Sequence, residues 1–442
     1  MTPIRVLLEG RTGRRRKRFY EGALQYVQFG VAYGDSKITE MQKLEFYEDG
    51  KLQGKEDRGI QFRSVCYNVA LARYLHGVEE RLIGTHYLGH HPVVKGLTPR
   101  ERCQRLFKFA SEFEDPVFLC ADHSRFDAHV NVELLQEEHA VYKRCCPNTR
   151  EFRQLLRWQL KNNGKSKGGI IYKMRGKRMS GDINTGLGNT VLNVCMLAAW
   201  LEFNGCKKYR LMVDGDDSVI ILSRREYERF QVGIVEFMLK LGMETEMDVV
   251  YDIWKVDFCQ SRPVLLPDGP TFVRNPFKVM TTMGRTAERR DDLTMQMVMS
   301  CSALSELAVA PGAPVTNELA RKVLAYYGNG RYLKTAKQLY KEEAYGYDIS
   351  DVDVDSVPEP DFLARYTFWL AWGIDPGLQE VYEGLDLDVF ARKVPDKRQK
   401  SVREVEYDMP LEVDDLGHVQ ARCDCSECPS YDGEYVDRWL KI

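Results

Sequence analysis

An α+β core between two helical lobes is the fold class that this 442-residue sequence predicts. Three observations predict it. Helical signals dominate the N-terminal part and return beyond about residue 290. Strand and helix signals mix between them. Within that middle part, "LMVDGDDSVIIL" (211–222) sets Asp214, Asp216 and Asp217 between two runs of strand-forming apolar residues, the pattern of a buried β-hairpin with acids at its tip. The composition is that of a globular protein, 44% hydrophobic and 29% charged, and the length suffices for a sizeable core or for several lobes.

The elements run in order along the chain. Residues 14–29 read as a basic helix. "IQFRSVCYNVALARYL" (60–75) starts extended and turns into an amphipathic helix. "DPVFLCADHSRFDAHV" (115–130) is a strand that runs into a polar turn, then a helix of mixed polarity to about 145. Residues 150–161 are helical by periodicity, and "NNGKSKGG" (162–169) is a turn by composition. Residues 169–181 read as extended and precede an apolar helix from Asn189 to Phe203. The hairpin of 209–222 comes next, then a helix from about 225 to 242. "WKVDFCQSRPVLL" and "TFVRNPFKVM" read as strands around a turn at Pro267–Gly269. Helices dominate after that, and the last forty residues look loosely structured.

Bulk charge excludes little. The net charge is −2, but residues 1–20 hold seven basic side chains against Glu9, and residues 345–361 hold six acids and no base. Segregation of this kind can place a basic channel on a neutral protein. The twelve cysteines are mostly isolated in apolar surroundings, which suits a reducing compartment. No stretch reaches the ~18 apolar residues of a membrane span, and the basic N-terminus lacks the apolar run of a secretory signal.

The acids at the hairpin tip carry the chemical argument. Adjacent carboxylates repel unless a cation sits among them. Mg²⁺ prefers hard oxygen ligands, takes one or two carboxylates and leaves room for phosphates. Asp122, at the end of the strand "VFLCAD", is a second source of carboxylate that neighbouring strands could bring beside Asp216 and Asp217. Two such ions about 3.5–4 Å apart activate an attacking hydroxyl and stabilise a leaving oxygen in nucleotidyl transfer.

"DHSRFDAH" (122–129), "RMSGDINTGLGNTVLN" (178–193) and "GDD" (215–217) come in the order of motifs A, B and C of viral RNA-dependent RNA polymerases, and the chain resembles that family. "KLQGKEDRGIQFRSVCYNVALARYL" (51–75) resembles the preceding fingers motif, "VDFCQSRPV" (256–264) the turn after the palm, and 364–383 the thumb. The wording is most similar to tombusvirus and carmovirus replicases, over about residues 40–385.

The resemblance implies a right-hand polymerase: fingers over 1–114 with a returning segment 145–175, palm over 115–144 and 176–285 with an antiparallel, RRM-like sheet, thumb over 286–400, and an acidic, cysteine-rich tail over 401–442. It implies catalytic, metal-holding roles for Asp122, Asp216 and Asp217 with two Mg²⁺ or Mn²⁺ ions. It implies nucleotide-binding roles for Lys55, Arg58 and Arg63 at the triphosphate, a phosphate contact for Arg125, and ribose recognition by Asp127 held by Ser180, Thr185 and Asn189. Lys255 is the candidate general acid toward pyrophosphate. Gly181, Gly186 and Gly188 would line the template strand. The implied partners are single-stranded RNA template, nascent RNA, NTPs and a separate viral accessory replicase protein. The implied place is the host cytoplasm at membrane-bound replication complexes reached through that partner, with initiation de novo.

Two features depart from the pattern. Asp214 stands where the group often has Asn, so it either tunes metal affinity or points away. His418, Cys423, Cys425 and Cys428 lack a standard paired zinc spacing, so a flexible acidic tail is the better reading. A reverse transcriptase would share the palm, but Asp127 sits where a bulky residue must exclude the 2′-hydroxyl. A non-catalytic RNA-binding factor is the rival outside enzymes, and the intact acids argue against it.

Overall fold

The computed structural model describes residues 1–9, 11, 13–43, 58–87, 89–166, 168–283, 292–327, 352–386, 411–413 and 419–421. Lys55 and the tail's His418, Cys423, Cys425 and Cys428 lie outside the described residues. The expected mixture of helix and antiparallel sheet holds, so the fold is α+β.

Two helices, Ile4–Glu9 and Gly13–Phe29, lead to strands β1 (Ile38–Gln42) and β2 (Gly59–Phe62). The helix Val65–Ile83 is next, capped by the Ser64 hydroxyl, which accepts from the Tyr67 N–H. A helix at Pro99–Ala110 then precedes β3 (Pro116–His123). Helices Phe126–His129, Val132–Cys145 and Arg150–Gln159 come next, with strands β4 (Lys161–Ser166) and β5 (Ile171–Arg175) after them. The long helix Thr185–Phe203 leads into the hairpin β6 (Tyr209–Asp214) and β7 (Asp217–Ser223). Short helices Arg224–Tyr227 and Ile234–Lys240 precede β8 (Thr245–Val250), and β9 (Ser261–Leu266) and β10 (Gly269–Arg274) form a second hairpin. Beyond β10 the described chain is mostly helical, notably Asp292–Val309, Thr316–Tyr327, Phe362–Trp372 and Pro376–Gly384.

The central sheet is antiparallel, in the order β6-β7-β3-β8. Alternate side chains go to two cores. Val117, Leu119, Leu211, Val213, Ile220 and Leu222 pack on Leu197, Trp200 and Leu201 of the helix Thr185–Phe203. Phe118, Met212, Val219 and Ile221 pack on Cys103, Leu106 and Phe109 of the helix Pro99–Ala110. Burial on both faces explains why β7 reads as an unbroken apolar run rather than an alternating one. A second sheet, β2-β1-β4-β5, joins β1 to β4 in parallel.

Several expectations need correction. The predicted turn at 162–169 is largely strand β4, because tertiary pairing overrides composition. Asn162 is buried there, donating to the Gly176 carbonyl and accepting from Arg63. The predicted helix 225–242 is two short ones, with the intervening Gln231 and Val232 N–H groups bonded to the Asn204 side chain instead of a helix ladder. "WKVDFCQ" is no strand: Cys259 and Gln260 adopt left-handed φ of 52° and 58°, and pairing starts at Ser261. "NPFKVM" is a helix, Pro276–Thr282, capped by Asn275. β8 and the helix Pro99–Ala110 are additions to the predicted elements, although Thr98 and Glu101 form a capping box at the start of that helix.

Candidate active site

The register of the central sheet decides where the acids meet. Ala121 of β3 pairs with Ser218 of β7, so Asp122 lies beside Asp217 at the same end of the sheet. Asp214 pairs with Asp217 across the β6–β7 hairpin, leaving Gly215 and Asp216 as a two-residue turn. Gly215 has φ +68°, a conformation that side chains other than glycine's adopt at a cost. Four carboxylates from two connections thus face one region.

Their electrostatics show what is missing. Packing around the Asp217 carboxyl, together with repulsion from Asp216 and Asp122, pushes its pKa up to about 6. Residue 217 is exposed to solvent, so we give the like-charge repulsion the greater weight. Asp214 is the exception, because Arg102 Nη2 donates to its Oδ2 at 2.6 Å. That ion pair meets part of the Asp214 charge, yet Asp214 still adds to the charges that raise Asp217. Among the described residues, no three His, Cys, Asp or Glu side chains converge as a ready-made metal cage. The uncompensated acids still fit Mg²⁺, which uses one or two carboxylates and completes its shell with water and phosphate oxygens.

The turn is gripped from below by the helix Thr185–Phe203. Thr190 Oγ1 accepts from the Gly215 N–H at 2.9 Å, and the fully buried Asn193 donates to the carbonyls of Gly215 (3.1 Å) and Asp216 (3.0 Å). With both its donors used there, the Asn193 oxygen must accept from His123 Nε2 at 3.1 Å. His123 Nδ1 then accepts from the Thr245 hydroxyl of β8 at 2.8 Å. Burial pushes the His123 pKa down, in keeping with this neutral tautomer. Sequence reading passes over Arg102, Thr190 and His123. Its one signal for this layer is Asn193, a polar break in an otherwise apolar run.

Asp127 stands beside the acids on the short helix Phe126–His129, and Asn189 Nδ2 donates to its Oδ1 at 2.8 Å. Burial pushes the Asp127 pKa up, the Asn189 hydrogen bond and Arg178 oppose this, and Asp216 and Arg58 are close enough to act on it. Arg58 is exposed, and its charge acts on Asp127. Arg125, with φ 48°, forms the sharp entry to the helix.

Other predicted site residues sit differently. Arg63 is only 2% exposed and is ion-paired with Asp182, hydrogen-bonded to Asn162 and stacked over Tyr67. A triphosphate cannot reach a guanidinium so enclosed, which corrects the expectation for Arg63. Ser180 accepts from the Gln61 N–H at 3.2 Å, and Thr185 donates to the carbonyls of Met179 and Asp182. Both brace the loop before the helix Thr185–Phe203, and neither touches Asp127. Lys255 Nζ donates to the Ala371 carbonyl at 3.4 Å, which holds it against the helix Phe362–Trp372. A Cβ on Gly181 would meet Gln61 and Phe62, and one on Gly188 would meet Arg178 and Glu138. Close packing of the protein on itself is enough to require both glycines.

Comparison with known proteins agrees with the geometry. The family described as Viral RNA dependent RNA polymerase matches over residues 7–385. Similar relatives include the RNA-directed RNA polymerases of Cucumber necrosis virus and Tomato bushy stunt virus (strain Cherry), each 31% identical over 388 residues, covering 84% of this chain and 46% of the relative. That of Maize chlorotic mottle virus is 32% identical over 389 residues, covering 84% and 39%. The chain spans less than half the length of these relatives. With ordered acids on β3 and the β6–β7 turn and a family match over most of its length, the chain belongs to the viral RNA-dependent RNA polymerase family.

Proposed function

We propose that this chain is the catalytic core of a positive-strand RNA virus replicase, copying an RNA template into complementary RNA from NTPs. The observation that carries the reading is the meeting of Asp122 with Asp216 and Asp217 beside the Asp127–Asn189 pair. In this reading the sheet β6-β7-β3-β8 is the palm, the segments before β3 and around β4–β5 are fingers, and the helices beyond about residue 286 are the thumb.

Asp122, Asp216 and Asp217 would hold two Mg²⁺ or Mn²⁺ ions, which supply charge neutralisation at the triphosphate and a more acidic 3′-hydroxyl. The protein's own part is positioning. The turn is fixed by Thr190 and Asn193, so its carboxylates need little reorganisation when substrate arrives. Arg58 would meet the triphosphate, since an exposed guanidinium binds phosphate oxygens in pairs. Asp127 would accept from the ribose 2′-hydroxyl, the group that separates RNA precursors from DNA precursors. Among the described residues no helix is long and apolar enough to cross a membrane. Recruitment to host cytoplasmic membranes by a separate viral replicase protein, and initiation without a primer, complete the proposal.

The test is radiolabelled NTP incorporation on a short single-stranded RNA, with Mg²⁺ or Mn²⁺, with and without an annealed primer. Full-length product without primer is expected, and Asp216→Ala should lower incorporation by about 10³-fold or more, the several kcal/mol that metal-assisted stabilisation provides. No product from the wild type under either condition would overturn the reading.

A further inference from the structure

Beneath Asp127 lies a buried polar chain that the ribose contact alone does not explain. Arg178 and Glu138 are 5% and 0% exposed and joined through both guanidinium Nη atoms, Nη1 to Oε1 at 3.1 Å and Nη2 to Oε2. Arg178 Nε donates to Asn189 Oδ1 at 3.0 Å, and the Arg178 backbone N–H donates to the Asp127 carbonyl at 2.8 Å. On the far side, Glu138 Oε1 accepts from Asn184 Nδ2 at 3.2 Å, and Asn184 Oδ1 accepts from Gln159 Nε2 at 3.0 Å.

The polarity of this chain is forced. Arginine can only donate and an ionised glutamate can only accept. Asn189 must therefore turn its oxygen to Arg178 and its NH₂ to Asp127. Were Arg178 absent, the amide could flip and set an oxygen against the Asp127 carboxylate. In the arrangement present, Asp127 Oδ1 is taken by Asn189 and Oδ2 has no hydrogen-bond partner among the described residues. Gly188 belongs to the same device, since a Cβ there would collide with both Arg178 and Glu138. A buried ion pair is weak as a stabiliser relative to apolar packing, so its use here is orientation.

We infer that Glu138 and Arg178 are the positioning pair for sugar recognition: by fixing the Asn189 amide they leave one Asp127 oxygen aimed for the ribose hydroxyl, and so set the preference for ribonucleotides over 2′-deoxyribonucleotides. The inference rests on the polymerase reading above.

The test compares incorporation efficiencies of an NTP and its 2′-deoxy counterpart on a primed RNA template. Arg178→Lys keeps a charge for Glu138 but loses the Nε donor. The paired variant Glu138→Gln/Arg178→Met removes both charges with little change in volume and serves if the first fails to fold. Each should lower the NTP-over-dNTP ratio about tenfold, the weight of one hydrogen bond to a charged group. In an Asn189→Ala background, Arg178→Lys should change the ratio by less than twofold, because its route is already cut. A merely structural pair would lower both efficiencies in parallel and leave the ratio intact, which would overturn the inference. So would a full tenfold effect in the Asn189→Ala background. A wild type that incorporates neither nucleotide would overturn the polymerase reading itself.

Discussion

Asp214 and Asp217 differ by three positions, yet their surroundings set them different tasks. Asp214 has Arg102 at 2.6 Å, so its charge is already met. Asp214→Asn should then leave incorporation within about threefold, the modest effect expected of a half-buried pair outside the chemistry. Arg102→Ala should do more, because it adds an unpaired acid to a cluster that already repels. The pH at which activity is half lost should move upward in that variant, read from rate–pH profiles at saturating metal. Asp217 supplies a second test at this scale. Its folded pKa of about 6 lies above the ordinary carboxylate value of 3.8, so folding disfavours its charged form. Stability of the metal-free protein should therefore rise as pH falls from 7 through 6 toward 4, the reverse of a salt-bridged acid. Other acids, such as the capping Glu101 with its lowered pKa, act in the opposite sense. The measurement is thus the difference in melting temperature between wild type and Asp217→Asn in EDTA. The gap should be widest at neutral pH, with the variant more stable, and close as pH falls from about 6 toward 4. An unchanged gap would mean that the acids do not repel as described.

Among the elements, the helix Thr185–Phe203 does two jobs, packing Leu197, Trp200 and Leu201 on the sheet and holding the β6–β7 turn through Thr190 and Asn193. Asn193→Ala would leave two turn carbonyls and the buried His123 without their partner. We expect a loss of about 2–4 kcal/mol in denaturant unfolding and a fall in incorporation larger than in the distant surface variant Lys240→Ala. A stability loss without a loss of activity would show that the turn keeps its place unaided. The same helix shows what sequence can convey. Its apolar run and the hairpin beside it are legible because burial leaves a compositional trace. β4 is not, since "NNGKS" owes its extended form to β1 and β5. β8 escapes sequence reading because it is an edge strand, paired with β3 alone, and its exposure does not alternate along "TEMDVV". Asp122, Asp216, Asp217, Asp127 and Asn189 are found by motif order, whereas Arg102 and His123 act through tertiary contacts that no local pattern announces. Arg63 carries the right charge in the right block and still goes into the core, because Asp182 waits there.

For the whole molecule, the proposed metal site would link folding to metal binding. The site joins β3 and β7, already paired in the sheet, to the helix Thr185–Phe203, which meets them through apolar packing, Thr190 and the Asn193 network. An ion that binds only when these parts are assembled stabilises the folded chain by mass action, about 1.4 kcal/mol at tenfold excess over its dissociation constant. Mg²⁺ or Mn²⁺ should therefore raise the melting temperature of the wild type, and the rise should grow with the logarithm of concentration. Asp122→Asn and Asp216→Asn should each start from a higher metal-free melting temperature, since one repelling charge is gone, and gain less from the ion. The crossing of these two trends separates a metal site from a merely acidic surface. Ca²⁺ should also stabilise, because it too prefers oxygen ligands, so calcium measures binding without turnover. Equal gains in wild type and both variants would show that the ion binds elsewhere, and the two-metal reading of the β3 and β6–β7 acids would fall.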